Sequence, residues 1–170
     1  MTAEVRPATP EDLDAIVAVH HAAFGRPNEG DLVRRLVDAG HATISLVAVD
    51  DDDAVIGHVL FSPLTVETGD DGKALGLAPI AVLPDHQRQG VGHALIEEGI
   101  GACFVADARA VFVLGSPAYY AKFGFTKASA HDLHDAFEGG NAFQVLPLTI
   151  HGLEGYKGRV SYAPAFSEGL

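Results

Sequence analysis

Ile80-Ala81-Val82-Leu83-Pro84-Asp85-His86-Gln87-Arg88-Gln89-Gly90-Val91-Gly92-His93 is the stretch that decides the fold. An apolar strand ends at Leu83, and Pro84 removes the next backbone donor, so the strand stops there. Gly90 and Gly92 then open a segment of helical spacing that continues to about Ala106. A buried strand that turns on glycines directly into a helix presents several unsatisfied amides at the positive end of the helix dipole. That arrangement binds anions, and glycine lets backbone approach a ligand with no Cβ in the way. The competing reading is a strand-to-helix turn with no ligand at all.

Two nucleotide fingerprints fail on this stretch. A dinucleotide turn wants Gly or Ala three residues after Gly92, where Leu95 stands, and no Gly-Lys-Ser/Thr triplet exists for a P-loop.

Working outward, the N-terminal side begins with a strand at Val5-Arg6 and a helix start at Thr9-Pro10-Glu11-Asp12. A capping hydroxyl, an N1 proline and two acids suit the positive end of a helix. Leu13, Ile16, Val17, His20 and Phe24 recur at helical spacing. Gly25 to Gly30 is a break, and a second helix carries Leu32, Val33, Leu36 and Val37 as far as Gly40. Strands follow at Ile44 to Val49 and Ala54 to Val66, joined by the acidic turn Asp50 to Asp53, and another runs from Ala74 to Leu83 after the turn Glu67 to Lys73. In the helix after Gly90, Ile96, Ile100, Cys103 and Phe104 share a face, while Gly99 and Gly101 each cost about 1 kcal/mol. Beyond it come a strand at Ala110 to Leu114, a short helix at Pro117 to Lys122, and strands at Ala142 to Ile150 and Tyr156 to Tyr162. The order predicts one mixed α/β domain over residues 1–170, with about 126–170 supplying its last strands.

Composition limits the function classes. The chain has 170 residues, 48% hydrophobic, enough to bury a core. Its formal charge of -12 lacks the basic face that nucleic acid requires. Cys103 is the one cysteine, so no internal disulfide or Cys-based zinc site forms. The start Met1-Thr2-Ala3-Glu4-Val5-Arg6 lacks a signal-peptide core, and no apolar run reaches the roughly 20 residues of a membrane helix. A cytoplasmic protein with no membrane partner is the expectation.

Gln87, Gly90 and Gly92 match a Gln/Arg-x-x-Gly-x-Gly/Ala pattern, and with it the chain resembles the GCN5-related N-acetyltransferases. Tyr119-Tyr120-Ala121-Lys122-Phe123-Gly124-Phe125 resembles the same family's Tyr-x-x-x-Gly-Phe ending, and Val5 to Leu13 its first strand and helix. The resemblance therefore runs from about Val5 to Phe125. The stretch Gly158-Arg159-Val160-Ser161-Tyr162-Ala163-Pro164-Ala165-Phe166 is similar to one subgroup, the YhbS-like proteins.

The resemblance implies a mixed, mostly antiparallel central sheet flanked by helices, with acetyl-CoA as co-substrate and no metal. It implies that backbone at Ile80, Ala81 and Val82 pairs with the pantetheine arm. Amides of Arg88, Gln89, Gly90, Val91, Gly92 and His93 would hold the pyrophosphate, with the Arg88 guanidinium adding a charge-assisted contact. Tyr120 matches the tyrosine that protonates the departing thiolate, and Tyr119 packs beside it. Ser116 either touches cofactor or acceptor, or caps the helix that begins at Pro117.

The base is less legible. Where some relatives carry strand histidines, this chain has Gly76 and Ala78. Glu29 is one candidate, weighed against an acid that simply favours a helix N-terminus. His58 is another, weighed against a satisfied strand histidine. His131-Asp132-Leu133-His134-Asp135, read as a helix, puts His131 and Asp135 on one face, but no third cluster completes a metal site. The sequence thus predicts direct acetyl transfer to an amine of a small molecule or peptide, with a homodimer as the assembly expectation. A non-catalytic acyl-CoA-binding regulatory module of the same fold is the alternative.

Overall fold

A computed structural model describes residues 3–167. The chain runs β1 (Glu4–Pro7), α1 (Leu13–Phe24), α2 (Asn28–Asp38), β2 (Ile44–Val49), β3 (Val55–Pro63), β4 (Thr65–Thr68) and β5 (Ala74–Val82). It continues through α3 (Val91–Val105), β6 (Ala110–Leu114), α4 (Pro117–Tyr120), β7 (Thr126–Lys127), β8 (Leu133–Asp135), β9 (Phe143–Pro147) and β10 (Lys157–Ser161). Seven strands hydrogen-bond in the order β1-β2-β3-β5-β6-β9-β7, and a second sheet has the order β4-β10-β8. In the larger sheet β1–β2, β2–β3, β6–β9 and β7–β9 are antiparallel, whereas β5–β6 is parallel. This is the mixed, mostly antiparallel sheet that the resemblance implies.

The fold divides into two compact units, one comprising the chain to Phe61, Ala78–Ala102 and the residues from Pro164, the other Ser62–Leu77 and Cys103–Ala163. In the first unit β3 is buried along nearly its whole length. A strand covered on both faces reads as a continuous apolar run rather than an alternating one. Gly57 and Phe61 face α3: a Cβ at Gly57 would meet Leu95 and Val91, and Gly99 of α3 sits directly on the Phe61 ring. His58 faces the other way, toward His20 of α1. Thr9 and Asp12 start the first helical region as expected, with the Thr9 amide donating to the Asp12 carboxylate at 2.8 Å. Gly25 ends α1 in the left-handed conformation, its N–H on the His21 carbonyl.

In the second unit, Leu64, Val66, Ala74, Phe112, Val145 and Val160 belong to one apolar cluster. The Phe112 and Phe143 rings stack within it at 5.4 Å.

Several expectations need correction. The run Ala54 to Val66 is two strands, because β3 ends at Pro63, the Leu64 amide turns to the Ala74 carbonyl, and β4 joins the other sheet. The second helix begins at Asn28, inside the expected break. The strand expected over Ala142 to Ile150 spans only Phe143–Pro147. Phe104 points to solvent at 58% exposure although Cys103 beside it is buried, so it does not share the buried face. His131 to Asp135 is not a helix: a 3-10 turn ends at His131, and Leu133–Asp135 is β8. Among the described residues no helix is long and apolar enough to cross a membrane.

Candidate active site

The turn between β5 and α3 is built by its own side chains. Pro84–His86 forms a 3-10 turn, Gln87 donates from Nε2 to the Val82 carbonyl at 2.9 Å, and Gln89 donates to the Asp85 carbonyl at 3.1 Å. Arg88 and Gly90 both take positive φ, 61° and 85°. Glycine accepts that conformation freely, and its neighbours are held to it by the two glutamine straps. The Ala94 amide reaches the Gly90 carbonyl one helical turn back. The amides of Arg88, Gln89, Gly90, Val91 and Gly92 have no acceptor among the described residues. They stand at the head of a 15-residue helix, so dipole and donors favour the same occupant, an anion. His93, next in the first turn, places Nε2 2.9 Å from the Glu97 carboxylate.

β5 supplies the second element. The Leu83 amide donates to Ile56 of β3, and the Ala81 carbonyl lies beside Gly57. Alternation along a strand then turns the backbone groups of Ile80 and Val82 to the opposite edge. On that edge β6 pairs only with Ala74, Leu75 and Gly76. From Leu77 onward β6 makes no pair with that edge among the described residues, and an extended segment carrying amides can pair with such an edge as a strand would. Of Ile80, Ala81 and Val82, the Ala81 carbonyl lies toward β3, while alternation turns the backbone of Ile80 and Val82 to the other edge, where the Val82 carbonyl already accepts Gln87 Nε2.

Tyr120 belongs to the second unit, at the end of α4. It is 8% exposed, ringed by Tyr119, Phe123 and Phe125 at 5.1 to 6.3 Å, and Gly115 leaves no room for a Cβ beside its ring. Burial pushes its phenol up to about 12, so the hydroxyl keeps its proton at neutral pH. That hydroxyl has no hydrogen-bond partner among the described residues. Ser116 takes the capping role, its Oγ accepting from the Tyr119 amide at 3.4 Å.

The candidate bases fit less well. Glu29 sits in the first turn of α2, only 12% exposed, clamped by the Nε and Nη2 atoms of Arg26. The Arg26 hydrogen bonds hold its carboxyl below the ordinary glutamate value, which makes it a weak proton acceptor. His58 is satisfied on both nitrogens: Nδ1 shares a hydrogen bond with His20 Nε2 at 2.9 Å, and Nε2 with Ser45 Oγ at 2.8 Å. This Ser45–His58–His20 chain was not legible as a unit, and the Nδ1 of His20 ends it without a partner. Burial depresses both histidines, His20 to about 4, so both are neutral at pH 7. Cys103 is buried and its thiol pushed up to about 12, which leaves no thiolate for nucleophilic work. Asp135, once paired with His131 as a candidate ligand, is instead a turn residue that accepts the amides of Phe137 and Gly139.

An amide-lined turn at a helix start, beside a strand edge, is an arrangement that favours a bound anion. The family model for the acetyltransferase (GNAT) domain matches residues 4–128, and the chain belongs to that family. Over 164 residues it is 38% identical to the N-acetyltransferase YhbS of Escherichia coli strain K12, itself described as uncharacterised, covering 96% of this chain and 98% of that protein. The crystal structure of Escherichia coli YhbS in complex with CoA superimposes with a TM-score of 0.93, covering 99% of this chain and 93% of that one. A GNAT family acetyltransferase from Brucella melitensis, solved with acetyl-CoA, is 34% identical with a TM-score of 0.82, covering 97% and 98%.

Proposed function

We propose that this chain transfers an acetyl group directly from acetyl-CoA to the neutral amine of a small molecule or peptide. The observation that carries the reading is the run of free amides from Arg88 to Gly92 at the head of α3, adjoining the open edge of β5 at Ile80 and Val82. The pyrophosphate fits the amides, with the exposed Arg88 side chain as an added cation and His93 next in the same turn. The pantetheine amides fit the strand edge, which fixes the thioester along β5. Complexes of two similar proteins with CoA and acetyl-CoA support the choice of ligand.

Attack of an amine on a thioester carbonyl forms the C–N bond and expels CoA as a thiolate. Tyr120 holds a phenolic proton at neutral pH and occupies the family's Tyr-x-x-x-Gly-Phe position, so we assign it the protonation of that thiolate. Direct transfer follows from the state of Cys103, buried and protonated. The acceptor's proton goes to solvent rather than to Glu29, which Arg26 already engages.

The test is CoA thiol release with a panel of amines, amino acids, aminoglycosides and peptides. At least one acceptor should release thiol above the rate with water alone. Binding of acetyl-CoA with no release from any of them would favour the non-catalytic module instead. Homodimer formation and cytoplasmic residence complete the reading, and sedimentation of the purified chain tests the first.

A further inference from the structure

The outer face of the β4-β10-β8 sheet carries a set of polar side chains that acetyl transfer does not use. Val66, Val160, Leu133 and Asp135 of these strands are buried. Alternation therefore sends Thr65, Glu67, Arg159, Ser161 and His134 outward, where they line a groove of about 460 Å³. The register places His134 directly beside Arg159, and Ser161 opposite Thr65.

Arg6, Arg26, Arg34 and Arg109 each hold a carboxylate. The Arg159 guanidinium holds none, and neither do the His134 ring and the Thr65 and Ser161 hydroxyls have a partner among the described residues. Glu67 is fixed differently. Its Oε1 accepts the Arg159 amide at 2.8 Å, and its carboxylate lies where a Cβ on Gly158 would stand. Gly158 has φ of 91°, and the β10–β4 register slips between Lys157 and Val160. Such a bulge re-aims the next side chain, here Arg159. Glu67 thereby keeps its second oxygen for a ligand while staying out of ion-pair range of Arg159.

A guanidinium and a carboxylate held apart across one groove have no net charge together, and each lacks its opposite. A dianion would satisfy Arg159 but be repelled by Glu67. We infer that the groove binds a small carboxylate–ammonium zwitterion, of which a free α-amino acid is the simplest, with its carboxylate on Arg159 and its ammonium on Glu67. Arg159 offers a planar two-donor fork to the carboxylate, and His134, Thr65 and Ser161 supply further hydrogen bonds.

The experiment is a titration of the full ¹⁵N-labelled chain, followed by its backbone amide resonances, with L-alanine, acetate, methylamine and inorganic phosphate in turn. Alanine should shift the amides of Thr65, Gly158 and Arg159 saturably, with acetate and methylamine each weaker by about tenfold or more. Arg159→Gln and Glu67→Gln should each weaken alanine by about tenfold, with unliganded melting temperatures unchanged. The glutamine at 67 keeps an acceptor for the Arg159 amide, so this variant removes charge and not the strap. The inference is overturned if alanine gives no saturable shift on these strands, if phosphate binds more tightly than alanine, or if either variant leaves the alanine titration unaltered.

Discussion

His20 and His58 sit at 0% exposure with one shared proton between their facing nitrogens, and burial keeps both rings neutral. In the unfolded chain each regains an ordinary value near 6.5, so between that pH and about 4 the unfolded state binds more protons than the folded one. The stabilisation is complete above pH 6.5 and is lost as pH falls toward 4. Unfolding free energies from urea titrations at pH 7.5, 6 and 5 should decline steadily, by on the order of a few kcal/mol in all; a flat profile would refute burial of neutral rings. Tyr120 makes a second claim at this scale. Tyr120→Phe should lower kcat by about a hundredfold, the range of one general acid, while acetyl-CoA affinity stays close to wild type. Glu29→Gln should keep turnover within a few fold. Equal rates for Tyr120→Phe and wild type would remove the phenol from the mechanism. The place of Tyr120 in a Tyr-x-x-x-Gly-Phe pattern is readable because the Gly124-Phe125 ending fixes it, and its role there remains our proposal. The histidine pair is not readable, because the two rings are 38 residues apart and each looks like an ordinary buried position on its own element.

Among the elements, α3 shows what glycine does inside a helix. Gly99 lies against the ring of Phe61, which is fully buried, so an added methyl has no free space there. Gly101 is exposed with nothing nearby. Gly101→Ala should therefore raise stability by about 1 kcal/mol, from helix propensity alone. Gly99→Ala should lower it by about 1–3 kcal/mol despite the same propensity gain, because overpacking wins. Thermal melts of the two variants decide this: shifts in the same direction would mean that the Phe61 contact is unimportant. Sequence reading saw the two glycines as equal costs, since which one meets a ring depends on β3. The same dependence hid the break at Leu64. Nothing in the apolar run from Ala54 to Val66 says that its last residues join another sheet, where β10, nearly a hundred positions later, pairs with them. His131 to Asp135 misled for the converse reason, since five residues satisfy either period and the left-handed Asp132 ends the turn before a helix can form.

At the level of the whole molecule, a net charge of -12 has to be reconciled with the anionic cofactor we propose. Under that proposal the amides of Arg88 to Gly92, which have no acceptor among the described residues, and the helix N-terminus would hold it locally without a basic surface; the strand–proline–glycine pattern makes the turn itself readable from residues alone. The family match over residues 4–128 shows a GNAT domain, and two similar proteins are solved with CoA and acetyl-CoA. The acceptor of the proposed transfer is written in surfaces that carry no motif. The central claim, direct transfer to an amine, is tested most directly by mass spectrometry of a single turnover with enzyme in excess over acetyl-CoA and an acceptor from the panel. The account predicts an acetylated amine, free CoA and an enzyme of unchanged mass at every time point. An enzyme that gains an acetyl group before the amine does, or acetyl-CoA that persists intact with every amine, would contradict it.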